Sequence, residues 1–269
     1  MTPSFDPQTQ RLLDSIRDRA AWAEETLLKW SAINSGSTQL QALAHMRDEV
    51  STTFAQLGRQ LEVIDLPPQR VLRDDGEVVD QPVGATVRVT TRPQAPHQVV
   101  LTGHYDTVFA ADHPFQEPWL DGEHMRGPGV ADMKGGLLAM WLALSALEDS
   151  ALRDAIGYQV LLNPDEEIGS PGSVGLLTAA AKQAHLGLTY EPALADGGLA
   201  GARKGSGNFA FLVRGKAAHA GREPELGRNA IAKVAELVSG LFALNDYHAG
   251  ISVNPARIEG GGATNIPAW

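Results

Sequence analysis

Five acidic residues and two histidines stand where this sequence could do chemistry. His104 and Asp106 close the apolar run that begins at Val99. Residues two apart in a strand point to one face, so Asp106 can accept a hydrogen bond from the His104 ring and fix its tautomer, the support a metal-bound imidazole needs. Asp132 follows Gly127-Pro128-Gly129 and precedes Met133-Lys134-Gly135-Gly136. A helix N-cap accounts for an aspartate there. A carboxylate bridging two cations accounts for it too, since the glycines permit close approach. Glu166 and Glu167 leave another apolar run, and adjacent acids in that setting can divide labour, one binding metal and the other moving protons. Glu191 stands between Tyr190 and Pro192 after a short strand-like run. His219, between Gly215 and Gly221, reads equally well as a surface-loop histidine. Each residue is weak by itself. A His, an Asp and paired Glu residues at successive strand exits together point to a hydrolytic metal site on an α/β fold.

The elements that must position these residues follow from periodicity. Residues 9–31 and 38–57 carry apolar side chains near the 3.6-residue period and are expected to be amphipathic helices, separated by Ser35-Gly36-Ser37 and closed by Gly58. A strand is expected at 60–66, a loop or hairpin at 69–82, and a half-exposed strand over 83–92. The central strand spans 98–103, and 109–131 is expected to be irregular. An apolar helix at 133–148, a buried strand at 156–162, a helix at 171–184 and a short strand at 186–190 follow. This alternation predicts an α/β fold with a mainly parallel sheet covered by helices. Ligands bind such sheets at the carboxyl ends of the strands, where His104 lies. A flexible stretch at 196–201 separates this part from a β-α-β pattern of strand 206–215, helix 226–244 and strand 250–258. The expected division is residues 1–203 and a smaller, incomplete α+β domain at 204–269.

Composition narrows the chemistry. The 269 residues include no cysteine, so thiolate sites and a cysteine nucleophile are excluded. A metal must then be held by His, Asp and Glu, which suits zinc, manganese or cobalt. The net charge of −10, without a Lys/Arg cluster, argues against nucleic acid or an anionic membrane as partner. No apolar signal segment is seen near Met1 and no run is expected to span a membrane, so a cytoplasmic location is expected.

Three segments carry a resemblance: Gly103-His104-Tyr105-Asp106-Thr107-Val108, Gly127 to Gly136, and Asp165-Glu166-Glu167-Ile168-Gly169-Ser170. They resemble the core motifs of the M20 family of metallopeptidases. The stretch from Gly215 to Ala230 is most similar to the family's glutamate carboxypeptidase branch, and Gly260-Gly261-Gly262 with Asn265 and Pro267 resembles a later motif of its lid. The resemblance implies a zinc-exopeptidase-like catalytic domain, a lid that forms a homodimer contact, and two Zn²⁺ ions replaceable by Co²⁺ or Mn²⁺. It implies His104, Asp132 and Glu191 on the first ion, with Asp132 bridging to a second that Glu167 also holds. The peptide bond after Asp132 is implied to be cis. Asp106 would orient His104, and Glu166 would be the general base. His219 would reach the partner's site and help stabilise the tetrahedral intermediate, while Asn265 would contact substrate. The implied reaction is hydrolysis of an amide in a small peptide, next to a C-terminal amino acid. Deacylation of N-acyl amino acids is the alternative, and a chain that only dimerises or binds ligand is a third reading.

Members of the family continue past the Asn-x-Pro motif to a further metal-ligand histidine. His185 and His248 lie in no matching motif. The sequence is therefore expected to be the N-terminal two-thirds of such an enzyme, with its second metal position short of one ligand and its activity low or absent.

Overall fold

The structure is a computed structural model and describes residues 5–57, 60–73, 75–199 and 204–262. The chain folds into two units. The first comprises Met1–Gln69 and Asp80–Gly198, the second Arg70–Val79 and Leu199–Trp269.

The first unit opens with helices α1 (Pro7–Arg17), α2 (Ala20–Ser31) and α3 (Leu40–Ala55), followed by strand β1 (Gln60–Asp65). The hairpin β2 (Gln69–Leu72) and β3 (Val78–Gln81) comes next in the chain, then β4 (Ala85–Thr91) and β5 (His97–His104). A second small hairpin, β6 (Trp119–Asp121) and β7 (His124–Arg126), precedes α4 (Gly135–Glu148), β8 (Ile156–Asn163), α5 (Val174–Ala181) and β9 (Leu186–Thr189). The main sheet of the described residues has the order β1-β4-β8-β5-β9. β4 runs antiparallel to both its neighbours, and β8, β5 and β9 pair in parallel, so four of five strands share one direction. This is a mixed sheet with a mostly parallel core flanked by helices.

Period-2 alternation decides which side chains meet which layer. Val87 and Val89 of β4, Leu101 of β5, and Tyr158, Val160 and Leu162 of β8 face one layer. There they pack against Met46, Val50 and Phe54 of α3 and Leu137, Met140, Trp141 and Leu144 of α4. The intervening Val100 and Leu161 point to the other face, where Leu177 and Ala180 of α5 cover them.

Several expectations change. The single helix at 9–31 is two helices, because Arg19 makes a tight turn from its N–H to the carbonyl of Ile16. The Arg19 side chain lies over the Trp141 ring and hydrogen-bonds Ser145, and these tertiary contacts hold the bend. The strand over 83–92 is central rather than half-exposed. Its polar alternates are covered by neighbours, Thr86 being buried and Arg88 paired with Glu62. Within the irregular 109–131 stretch, Trp119 to Arg126 forms the β6–β7 hairpin. The stretch Val130–Glu148, the turn before α4 together with α4, is long and apolar enough to cross a membrane by length and composition alone, contrary to expectation. Its apolar side chains instead fill the core of this unit.

In the second unit, α6 (Ala230–Phe242) starts later than expected. Pro224–Leu226 forms one separate turn, and Asn229 caps the helix through its side chain, which accepts from the Ala232 N–H. The strands expected at 206–215 and 250–258 are not formed among the described residues. Only the isolated bridges Lys216–Arg228 and Asp246–Ile251 appear. A strand needs a ladder partner, and without one the alternating Phe209 and Phe211 stay exposed. Gly58, Ala200, Gly201 and the boundary at Arg203 lie outside the described residues.

Candidate metal centre

Strand ends and one unusual turn build the site. β5 delivers His104 at its last position, fully buried. Beside it β8 ends at Asn163, and the chain turns at once into Glu166–Ile168. Asp132 comes from the wide turn Val130–Lys134 that precedes α4, where it is extended (φ −123°, ψ 98°) rather than a helix cap. The Asp132–Met133 peptide is cis. The turn opens on Gly129 at φ 74°, a conformation suited to glycine, and a Cβ there would lie 2.9 Å from the Lys134 side chain. Glu191 lies just beyond β9.

These positions bring three donor atoms together. His104 Nε2, Asp132 and Glu191 each offer a ligand atom, all within 4.8 Å of one another. Nε2 is 3.1 Å from Asp132 Oδ1 and 3.7 Å from Glu191 Oε2. Donors about 2.0–2.2 Å from a tetrahedral zinc are separated by about 3.3–3.6 Å, so this triad has the spacing and the nitrogen–oxygen chemistry of a metal site. Glu166 Oε2 is 3.9 Å from the same nitrogen. Glu167 stands outside the triad.

The charge balance favours a cation as well. Burial would lower the pKa of His104, but hydrogen bonds to Asp106 and Glu191 outweigh it and raise the value to about 11. Burial raises Asp132 and Glu166 above the ordinary carboxylate range, and pushes Glu167 up to about 7. One imidazole is insufficient positive charge for this many carboxylates, and a divalent cation would supply the remainder.

Asp106 is the hub behind the triad. It is completely buried, and its carboxylate accepts three hydrogen bonds while facing the His104 ring. Oδ1 takes the Glu166 N–H at 3.2 Å and lies 3.2 Å from His104 Nδ1, whose hydrogen bond runs to the Asp106 main-chain carbonyl at 3.1 Å. Oδ2 takes the Ser37 hydroxyl at 2.6 Å and the Glu167 N–H at 3.2 Å. With Nδ1–H held this way, Nε2 is directed at Asp132 and Glu191.

His219 belongs to the second unit, where its Nδ1 accepts the Gly221 N–H at 3.1 Å. Asn265 lies outside the described residues.

Sequence reasoning missed three supporting residues. Ser37 read only as part of a helix breaker. Lys134 is fully buried, donates to the carbonyls of Ile33 at 2.7 Å and Trp30 at 3.2 Å, and is pushed down to about 7 by burial. It ties the Asp132 turn to the end of α2, and a lysine before two glycines gave no sign of burial. Asp165 accepts from Gly172 N, Ser173 N and Ser173 Oγ, and so fixes the turn that carries the glutamates.

The model for Peptidase family M20/M25/M40 matches residues 100–255. The chain belongs to this family. Carboxypeptidase G2 of Pseudomonas sp. (strain RS-16) is 35% identical to the M20 chain over 173 residues, 62% of this chain and 41% of the relative. A probable succinyl-diaminopimelate desuccinylase of Staphylococcus epidermidis is 31% identical over 147 residues, 52% of this chain and 36% of the relative. Among solved structures, an M20 family metallo-carboxypeptidase from Sulfolobus solfataricus matches with a TM-score of 0.57 at 15% identity, covering 87% of this chain and 54% of that one. That likeness speaks for the fold. The M20 chain spans less than half the length of the two curated relatives.

Proposed function

We propose that this chain carries the metal centre of a zinc-dependent amide hydrolase that releases an amino acid from a small peptide or N-acyl amino acid. One observation carries the reading: the close approach of His104, Asp132 and Glu191, with the Glu166 carboxylate beside them. His104, Asp132 and Glu191 would hold the metal, and Asp132 and Glu167 would hold a second ion. When bound, a divalent ion supplies Lewis acidity, polarising the amide carbonyl and bringing the pKa of water toward neutrality. Glu166 is the base that accepts the proton from the attacking water and returns it to the leaving amine. Its raised pKa suits that exchange. Asp106 keeps the His104 proton on Nδ1. His219 and Asn265 serve the substrate from the lid, and α6, which leaves Ile231 and Phe242 exposed, supports a homodimer contact there.

Similarity to a carboxypeptidase favours cleavage before a C-terminal residue, and similarity to a desuccinylase favours removal of an acyl group from an amine. Elemental analysis of the purified chain, with amino acid release from a panel of dipeptides and N-acyl amino acids, tests both. Zinc bound at the triad, with slow release from one of the two classes, is the expected result. A chain that binds no divalent metal at the triad refutes the reading.

A further inference from the structure

Ser37 lies between α2 and α3, far in sequence from every residue of the triad, and is buried. Its hydroxyl has a definite partner, Asp106 Oδ2 at 2.6 Å. The same carboxylate pairs with the His104 ring through Oδ1, 3.2 Å from Nδ1, beside the ring's hydrogen bond to the Asp106 main-chain carbonyl, and holds the Glu166 and Glu167 amides through Oδ1 and Oδ2. Rotation of the Asp106 carboxylate about its last torsion would break these bonds together. The two glutamate amides constrain that torsion from the turn, and Ser37 adds a side-chain donor from another segment, on the oxygen opposite the imidazole. Its own backbone is fixed: the Ser37 N–H donates to the Thr107 carbonyl, and the Thr107 N–H donates to Ser35. The hydroxyl is therefore presented from a rigid segment.

We propose that Ser37 is a positioning residue of the metal centre: by fixing the Asp106 carboxylate it sets the His104 ring and the Glu166–Glu167 turn as one unit. The metal half of this inference rests on the reading of His104, Asp132 and Glu191 as ligands. The turn half does not.

The test has two arms. In the first, Co²⁺ is titrated into the full chain and its S37A variant, with absorption of the bound ion as readout. Loss of such a supporting hydrogen bond weakens metal binding by about 10–100-fold, and S37A is expected in that range. S35A is the control. It deletes a hydroxyl that is also buried but bonds the Tyr105 carbonyl, and is expected to bind Co²⁺ as the parent does. If S37A does not fold, S37T and S37V replace it, being alike in shape with the hydroxyl only in the first, and S37T is expected to bind more tightly. In the second arm, hydrogen exchange is followed in the metal-free chain. The Glu166 and Glu167 amides are expected to exchange faster in S37A or S37V than in the parent or S37T. A parent chain that binds no Co²⁺ overturns the ligand reading and the metal half, while the exchange arm still decides the turn half. Unchanged affinity and unchanged exchange in S37A, or equal losses in S35A, overturn the proposal.

Discussion

Asp165 offers a measurable test of how the glutamate turn is held. It is completely buried, and its Oδ2 accepts from Gly172 N at 2.7 Å and Ser173 N at 3.0 Å, while Oδ1 accepts from Ser173 Oγ at 2.6 Å. Asp165→Ala removes both acceptor oxygens from these three donors and from the Asn163 side-chain amide at 3.4 Å. The hydroxyl can rotate to seek another partner, but the two buried amides cannot. Each unsatisfied donor costs about 1–3 kcal/mol, so Asp165→Ala should destabilise the first unit by about 3–5 kcal/mol. Asp165→Asn keeps one oxygen for the two amides and turns its NH₂ toward the Ser173 hydroxyl, which can accept. Its cost should be only about 1–2 kcal/mol, from exchanging charged for neutral hydrogen bonds. Urea unfolding of the metal-free chain, followed by tryptophan fluorescence, checks both, since Trp30 and Trp141 lie in the affected core. Equal losses for the two variants, or a loss below about 1 kcal/mol for Asp165→Ala, would refute the argument that unpaired amides dominate.

Other expectations concern the metal and its surroundings. Glu166→Gln should retain metal by elemental analysis while lowering the hydrolysis rate by about 10²–10⁴-fold, as loss of a general base does. Metal affinity should rise between about pH 6 and pH 8, because binding must displace protons from the site, and calorimetric titration at the two values measures it. The metal-free chain should move the opposite way. Glu167, raised from 4.5 to about 7, contributes stability that is complete below pH 4.5 and lost as pH rises through 7. His104, raised from 6.5 to about 11, contributes stability that is complete below pH 6.5 and lost as pH rises through 11. Melting temperatures across that range, with and without metal, separate the two trends. Gly136→Ala places a Cβ 2.0 Å from the Tyr190 carbonyl oxygen. The clash should cost about 1–3 kcal/mol in thermal or urea unfolding and weaken metal binding by displacing the neighbouring Glu191.

The sequence exposed the parts of this architecture that rest on local pattern. Apolar runs at 98–103 and 156–162 declared buried strands, and the acids at their exits declared a site, because side-chain type and strand ending are both local properties. What escaped depends on distant neighbours. The covering of β4 on both edges cannot be read from its alternation, which looks the same in a half-exposed strand. The bend at Arg19 follows from contacts with Trp141 and Ser145, more than a hundred positions away. Ser37 and Lys134 matter through one and two hydrogen bonds across the fold, and no spacing rule predicts those. In the second unit the apolar alternation of 206–215 promised a strand, but alternation supplies only half of a ladder.

The position of β8 has a consequence for how the chain acquires its site. β4 and β5 are neighbours in sequence but not in the sheet, because β8, more than fifty residues later, is inserted between them. Until β8 arrives, each of the two strands lacks its permanent partner on one side, and closing that long loop is entropically costly and slow. The same insertion carries Glu166 and Glu167 to the amides' acceptor on Asp106. Joining of β4 to β5 and docking of the glutamate turn on Asp106 then depend on the same strand, and the triad waits further for Glu191, beyond β9.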